Sequence, residues 1–395
     1  MNIHPDYESH QLIIHLEGEL TSVNAPIVRD EIQNVMTEYP ELTPSFDANQ
    51  LLYISSAGLR LLLTICQNYE KRLTIFNVSS NNYEIFEMTG FTTIMNVQKR
   101  MREISVDGCE IIGKGAFGTV YRLDIDTVVK VFKNADMLPM IRNEQKRARQ
   151  AFLKGIPTAI PFDIVRVGEK YGTVFEMIKA RNCGEWLIEE PENIEEILDQ
   201  YTAFIKSVHS VEMVPGDLPD IRDVYEGYLN KVSQLLPEET VRHLRDLIRE
   251  IPESKCVVHG DIQMKNVMLS DDQMILIDMD TLALGDPVFE FAGLFMAYVA
   301  FNEDDPNDAL KFLGISIDTC RAVYLGTLSR YLNGDAQRIQ AAKDKINLIG
   351  YLRFLYVIAD EYNLEEPIRR LQVSRATSQI EALTKKVDSL ALREE

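Results

Sequence analysis

Residues 257–269 read Val-Val-His-Gly-Asp-Ile-Gln-Met-Lys-Asn-Val-Met-Leu, and residues 274–280 read Met-Ile-Leu-Ile-Asp-Met-Asp. Asp261 stands five positions before Asn266, and Asp278 stands twelve beyond Asn266, at the end of the apolar run Ile275–Ile277. A carboxylate, an amide and a second carboxylate in this order are hard oxygen donors with a strand to position the last of them. Such a set can take a proton from a hydroxyl and hold Mg²⁺ against phosphate oxygens. His259 is read as a brace for the loop, not as a reactive group.

Working toward the N-terminus, residues 111–133 read IIGKGAFGTVYRLDIDTVVKVFK, in which Gly113, Gly115 and Gly118 form GxGxxG. A dinucleotide-binding turn with this spacing opens a helix. Here the glycines are followed by TVYRL and VVKVF, two further β-type runs. That context predicts a glycine hairpin over phosphates and a lysine, Lys130, reaching them from the third strand. The next helix, expected over Met140–Phe152, offers one acid, Glu144, to hold the lysine. Stabilising charge is most of what phosphoryl transfer asks of a protein. The expected chemistry is therefore transfer of a phosphoryl group from ATP with Mg²⁺.

The first hundred residues alternate strand and helix patterns. QLIIHLEGEL (11–20) favours a strand, and a helix is expected over Asn24–Met36 with Ile27, Ile32, Val35 and Met36 on one face. Leu51–Ile54 reads as a short strand running into the helix SSAGLRLLLTICQNY. Leu73–Val78 reads as a strand, and Asn81–Met88 as a helix stopped by Gly90. This predicts a small sheet covered by helices. Ser55 and Ser56 sit at the strand-to-helix junction. Either hydroxyl can cap the helix, and an exposed one is also a favourable place for phosphate.

The chain has 395 residues, enough for two or three domains, and a formal net charge of −20. Residues 1–100 hold 12 acids and 6 bases, net −6, so the remainder carries −14. That field argues against nucleic-acid or anionic-membrane partners. Five scattered cysteines without CxxC spacing suit a reducing cytoplasm. No secretory signal is read at the N-terminus. The longest apolar run, Val288–Phe301, is broken by Glu290 and reads as a buried helix, too short for the ~20 residues of a membrane span. The polar stretch 98–108 reads as a linker. Beyond it, 110–180 look strand-rich with one helix, and 185–250 and 286–390 mostly helical. The tail stripe Val373, Ala376, Ile380, Leu383, Val387 and Leu390 is expected to dock on its own domain.

With LEGEL, YISSAGLR and FNVSSNNYEIFEMTGF in order, residues 1–97 resemble a STAS domain, the anti-sigma factor antagonist family. The resemblance implies a protein partner and a regulatory phosphoserine at Ser56, although Ser55 stands where that family usually has an acid and Ala57 follows. HGD with IDMD, and GDPVFEFA with only six residues between it and Asp278, resemble the aminoglycoside phosphotransferase and choline kinase group over about residues 108–360. That resemblance implies Asp261 as catalytic base, Asn266 and Asp278 as metal ligands, and adenine against the backbone of Glu176 and Ile178 in TVFEMI. Gln263 departs from the histidine often found there.

The expected architecture combines α/β and α+β parts. A STAS-type domain spans 1–98 and a linker 99–108. A bilobal protein-kinase-like domain follows, with a strand-rich N-lobe over 109–178 and a helical C-lobe over 179–395. The acceptor is a hydroxyl on a small molecule or on a protein, Ser56 included, though ~10 linker residues span at most ~35 Å. The competing reading is a nucleotide-sensing partner switch that turns over little. Antibiotic modification does not follow from an acidic composition.

Overall fold

The computed structural model describes residues 2–6, 10–69, 72–115, 117–270, 273–305 and 308–392. They divide into two compact units, 1–104 and 105–395, so the boundary falls inside the polar stretch read as a linker.

In the first unit the elements run β1 (Asn2–Asp6), β2 (Gln11–Leu20), α1 (Ala25–Glu38), β3 (Thr43–Ile54), α2 (Ser56–Cys66), β4 (Thr74–Val78), α3 (Ser80–Met88), α4 (Phe91–Ile94) and β5 (Asn96–Lys99). The strands form one sheet in the order β1-β2-β3-β4-β5, antiparallel at β1/β2 and parallel elsewhere. Alternation in β2 sends Leu12, Ile14 and Leu16 into the core, where Ile32, Phe46, Leu62 and Phe86 meet them. Gly58, in the first turn of α2, lies so close to β2 and β3 that a Cβ would come within 2.8 Å of the Ile54 and Leu20 side chains. Gly90 takes φ 76° one residue past the Thr89 cap of α3, the left-handed stop that the sequence signalled.

The pattern erred in three places. Ile27 is 62 % exposed, and α1 buries Ala25 and Ile32 instead, because five residues of helix turn Ile27 roughly 140° away from Ile32. The strand expected at Leu51–Ile54 starts at Thr43, where Pro44 and Ser45 hid it from an apolar count. Strands β1 and β5 carry too few apolar residues to announce themselves; sheet pairing recruits them.

The second unit opens after β6 (Arg102–Glu103) with β7 (Ile111–Lys114), β8 (Gly118–Arg122), β9 (Thr127–Phe132), α5 (Leu138–Leu153), β10 (Pro161–Val167) and β11 (Lys170–Glu176). Five of these strands lie side by side in the order β10-β11-β9-β8-β7. Chain from Met177 leads to β12 (Arg181–Asn182), α6 (Cys183–Glu189), α7 (Ile194–Ser210), α8 (Ile221–Val232), α9 (Glu238–Arg249), β13 (Val257–Val258), β14 (Val267–Ser270), β15 (Gln273–Leu276) and β16 (Ala283–Leu284). The helices α10 (Val288–Tyr298), α11 (Asp308–Leu313), α12 (Ile317–Tyr331), α13 (Ala336–Glu361) and α14 (Pro367–Thr384) complete it.

Every residue of α10 is buried, Glu290 within its apolar run included, so it forms the centre of the helical lobe. It packs on α13 through two glycines. A Cβ at Gly293 would stand 2.6 Å from an Arg353 nitrogen of α13, and one at Gly350 would stand 2.4 Å from the Phe295 ring of α10. The tail stripe docks on this core: Ala376, Ile380, Leu383, Val387 and Leu390 are all buried. No helix among the described residues is long and apolar enough to cross a membrane.

Candidate active site

Strands β7 and β8 pair antiparallel, and Gly115 N–H closes the hairpin by donating to Gly118 O at 2.9 Å. Gly118 is required by packing, since a Cβ there would stand 2.4 Å from the Val131 carbonyl oxygen of β9. Around Gly113 and Gly115 the nearest atoms to a Cβ are 3.7 and 3.9 Å away, so these two leave open space along the hairpin.

Strand β9 is buried on both sides of Lys130, at Val128, Val129, Val131 and Phe132. The Lys130 Nζ donates to Glu144 Oε1 at 2.9 Å and to Asp278 Oδ1 at 2.5 Å. Three residues from β9, α5 and the turn after β15 thus meet at one ammonium. Glu144 is 2 % exposed, so it does not serve as a surface balance for its basic helix neighbours. Burial pulls the Lys130 ammonium down, but Glu144 and Asp278 more than offset it and hold it above its ordinary value. Burial pushes Asp278 up, yet Lys130 wins there too and keeps the carboxyl below its ordinary range. Burial keeps the Glu144 carboxyl raised; Lys130 pulls it down, and the neighbouring Asp278 charge pushes it further up. Asp278 itself adopts φ 65°, ψ 63°, a left-handed conformation that costs a non-glycine residue energy and turns its carboxylate back toward β9.

The loop after β13 is held from behind. Glu290 of α10 accepts from His259 N–H at 2.7 Å and Gly260 N–H at 2.8 Å. His259 Nδ1 accepts from Asp261 N–H at 3.3 Å, which leaves Nε2 as the protonated nitrogen facing Ile277 O at 3.2 Å. The imidazole therefore ties the two segments that carry Asp261 and Asp278, the bracing role read from the sequence. The Asp261 carboxylate receives Gln263 Nε2 at 3.1 and 2.9 Å and Asn266 Nδ2 at 3.0 Å. Arg353 of α13 donates to Gly260 O and places a second nitrogen 3.8 Å from Asp261 Oδ1.

The donor set suits a nucleotide with Mg²⁺. Asn266 spends its amide hydrogens on Asp261 O and Oδ2, so its Oδ1 takes no hydrogen bond from a described residue. That oxygen and the Asp278 carboxylate are hard ligands of the kind Mg²⁺ takes, in a number that leaves its remaining positions to phosphate and water. Among the described residues no group of three or more His, Cys, Asp or Glu is placed to hold a metal alone. At the hinge, Glu176 N–H donates to Ile160 O and Met177 N–H to Asp126 O, whereas Ile178 N–H has no partner among the described residues.

Gln263, Glu290 and Arg353 are the supporting residues whose roles the sequence reading missed. Glu290 and Arg353 each stand as a lone charge within an apolar helical run, VFEFAGLF and IGYLRFLYVI. That signal is legible in retrospect, because a charge kept in such a run needs a buried partner.

At the other end of the chain, Ser55 caps α2 by accepting from Gly58 N–H at 3.3 Å. Ser56, the first helical residue, is exposed, and its hydroxyl has no partner among the described residues.

A glycine hairpin, a strand lysine locked to a helix glutamate, and an Asp–Asn–Asp set on a braced loop define a phosphotransferase of protein-kinase-like fold. Residues 108–318 match the phosphotransferase enzyme family known as APH, and the chain belongs to it. Residues 2–104 match the STAS domain family. The chain is similar to the ADP-bound aminoglycoside phosphotransferase APH(2'')-Ib, at 18% identity over 76% of this chain and 98% of that one, with TM-score 0.46. It is also similar to a thermostable mutant of aminoglycoside phosphotransferase APH(4)-Ia, at 13% identity over 70% and 94% of the two chains, TM-score 0.47. A third likeness is aminoglycoside phosphotransferase APH(3'')-Id from Streptomyces rimosus, at 17% identity over 70% and 93%, TM-score 0.36. No curated protein matches the chain.

Proposed function

We propose that the second unit moves the γ-phosphoryl group of Mg-ATP to an acceptor hydroxyl, with Asp261 as the base. The hydroxyl oxygen forms the new P–O bond as its proton passes to Asp261, and the bond to the β-phosphate oxygen breaks to release ADP. Lys130, held by Glu144, binds phosphate oxygens together with the backbone at Gly113, Gly115 and Gly118. Asn266 and Asp278 hold Mg²⁺, which supplies charge stabilisation to the transferring group. Glu176 and Ile178 present backbone to adenine, and the unclaimed Ile178 N–H supports that reading. The single observation that carries the proposal is the meeting of Glu144 and Asp278 at the Lys130 ammonium, each with a carboxylate oxygen within 2.9 Å of its Nζ.

In this reading the first unit spans 1–98 and the transferase unit has an N-lobe over 109–178 and a C-lobe over 179–395. The setting is the cytoplasm, in keeping with five free cysteines. The STAS unit engages a protein partner, an anti-sigma-type factor being the kind its family suggests, and Ser56 is its phosphorylation switch. The exposure of Ser56 beside a cap already supplied by Ser55 supports this.

The test is phosphate transfer from Mg-ATP with intact-mass analysis, run beside Asp261→Asn. Turnover or an added phosphate mass that disappears in the variant is expected. ATP binding with neither signal, even after addition of a hydroxyl acceptor such as an aminoglycoside, would replace transfer with nucleotide sensing. Site mapping then decides Ser56: unchanged phosphate incorporation in Ser56→Ala removes it as the acceptor.

A further inference from the structure

A cavity of about 650 Å³ lies in the helical lobe, outside the site described above. Its wall includes Lys206 and His209 near the end of α7, Tyr331 and Asn333 at the end of α12, Arg338 on α13, and Leu392. The volume is that of a small-molecule site. In a chain of net charge −20, the described lining residues include two permanent cations and no carboxylate. Lys206 Nζ donates to Arg330 O at 2.8 Å and Asn333 Oδ1 at 3.0 Å, so its charge meets neutral oxygens only. The Arg338 guanidinium is exposed and pairs with no described carboxylate.

Two neighbouring carboxylates are engaged by backbone N–H groups. Asp286 accepts from Val288 N–H at 2.8 Å and Leu392 N–H at 3.0 Å, and Asp335 accepts from Gln337 N–H and Arg338 N–H at 3.0 Å each. The tyrosine ring and Leu332 add apolar surface to the wall.

His209 connects this cavity to the catalytic loop. Its Nδ1 meets Tyr331 Oη at 2.9 Å, and its Nε2 meets Glu290 Oε2 at 3.2 Å. The same Glu290 carboxylate holds the N–H groups of His259 and Gly260, directly before Asp261. We propose that this cavity is a second ligand site, for a small molecule bearing a phosphate or carboxylate anion. Its occupancy is transmitted through His209 and Glu290 to the loop that carries Asp261.

The experiment uses the full chain with the nucleotide site filled by Mg-ADP, and pyrophosphate or citrate as the probe. A saturable rise in melting temperature of about 5 °C at hundredfold excess over Kd is expected from at least one probe. The probe that acts tells phosphate from carboxylate. Arg338→Glu, at an exposed position, abolishes the rise, and Lys206→Ala weakens it. An equal rise in both variants, or no rise with either probe in the native chain, overturns the site. Amide hydrogen exchange across 257–264 reads the relay: the probe slows it in the native chain and not in Arg338→Glu. Binding with unchanged exchange overturns the relay. Neither readout requires turnover, so failure here and failure of the phosphotransfer reading are separate results.

Discussion

Arg353 and Asp261, which belong to α13 and to the catalytic loop, stand 3.8 Å apart, while the same guanidinium donates to the carbonyl of Gly260. The arginine is 7 % exposed and reaches the loop only because Gly293 leaves room, a Cβ there being 2.6 Å from its nitrogen. It fixes the backbone before Asp261 and sets a cation beside the carboxylate without touching the hairpin. It is a positioning residue. Arg353→Met is expected to lower kcat about 10- to 100-fold, or ~1.4–2.8 kcal/mol, with the KM for ATP within about threefold. Arg353→Lys should recover part of the kcat. Steady-state kinetics with thermal melts make the check, and a lower melting point with unchanged kcat would reduce Arg353 to a structural role.

Lys130→Met leaves Glu144 buried beside a thioether. Losing the cation costs about 3 kcal/mol, and replacing Glu144 with an apolar group as well restores part of that, the rest staying with Asp278, which also loses Lys130. Denaturant unfolding should show a loss in Lys130→Met and a recovery in Lys130→Met/Glu144→Leu. Phosphate transfer should be absent from both, because stability and catalysis draw on the pair in different ways.

The hairpin glycines should separate cleanly. A Cβ on Gly118 meets backbone at 2.4 Å, and backbone cannot rotate away as a side chain can. Gly118→Ala is expected to cost about 1–3 kcal/mol and to raise the KM for ATP. Gly115→Ala, with nothing nearer than 3.9 Å, should melt within about 1 °C of the native chain. Equal destabilisation of the two variants would count against the packing described.

Burial pushes the Glu290 carboxyl up, but the hydrogen bond from His209, with further help from His259, brings it below its ordinary value of 4.5. A depressed acid contributes stability that is present above the unfolded value and is lost as pH falls through the lower folded value. Glu290→Gln turns an amide N–H₂ toward donors and should cost about 2–4 kcal/mol at pH 7. The gap to the native chain should close below about pH 4, as the native carboxylate takes up its proton. Unfolding followed from pH 7 to pH 3 measures this, and a gap that widens toward acid would contradict the assignment.

What the sequence disclosed and what it withheld follow from the range of the interactions. Lys130 was legible because its own strand neighbours specify its setting, and Gly90 because a left-handed stop is written in one residue. Ser55 and Ser56 were legible as a pair, but which hydroxyl caps the helix depends on where its first turn begins. Ile27 misled because a stripe counted by spacing does not say how wide a face the sheet covers. Arg353 was opaque for a different reason: its partner Gly260 lies 93 residues away, and no local pattern names it. Gln263 showed its position but not its task, since an amide pinning both oxygens of Asp261 is visible only once the loop is folded.

The helix that carries Arg353 begins at Ala336, beyond the 108–318 segment by which the family is recognised. A fragment cut at the family boundary would keep the hairpin, Lys130, Glu144, Asp261, Asn266 and Asp278. It would forfeit the guanidinium behind Gly260, the glycine contact that seats α13 on α10, and the bond from Leu392 to Asp286. Such a piece would be chemically complete and mechanically unsupported. For anyone dissecting the enzyme by truncation, silence from that fragment would report a missing scaffold rather than missing chemistry.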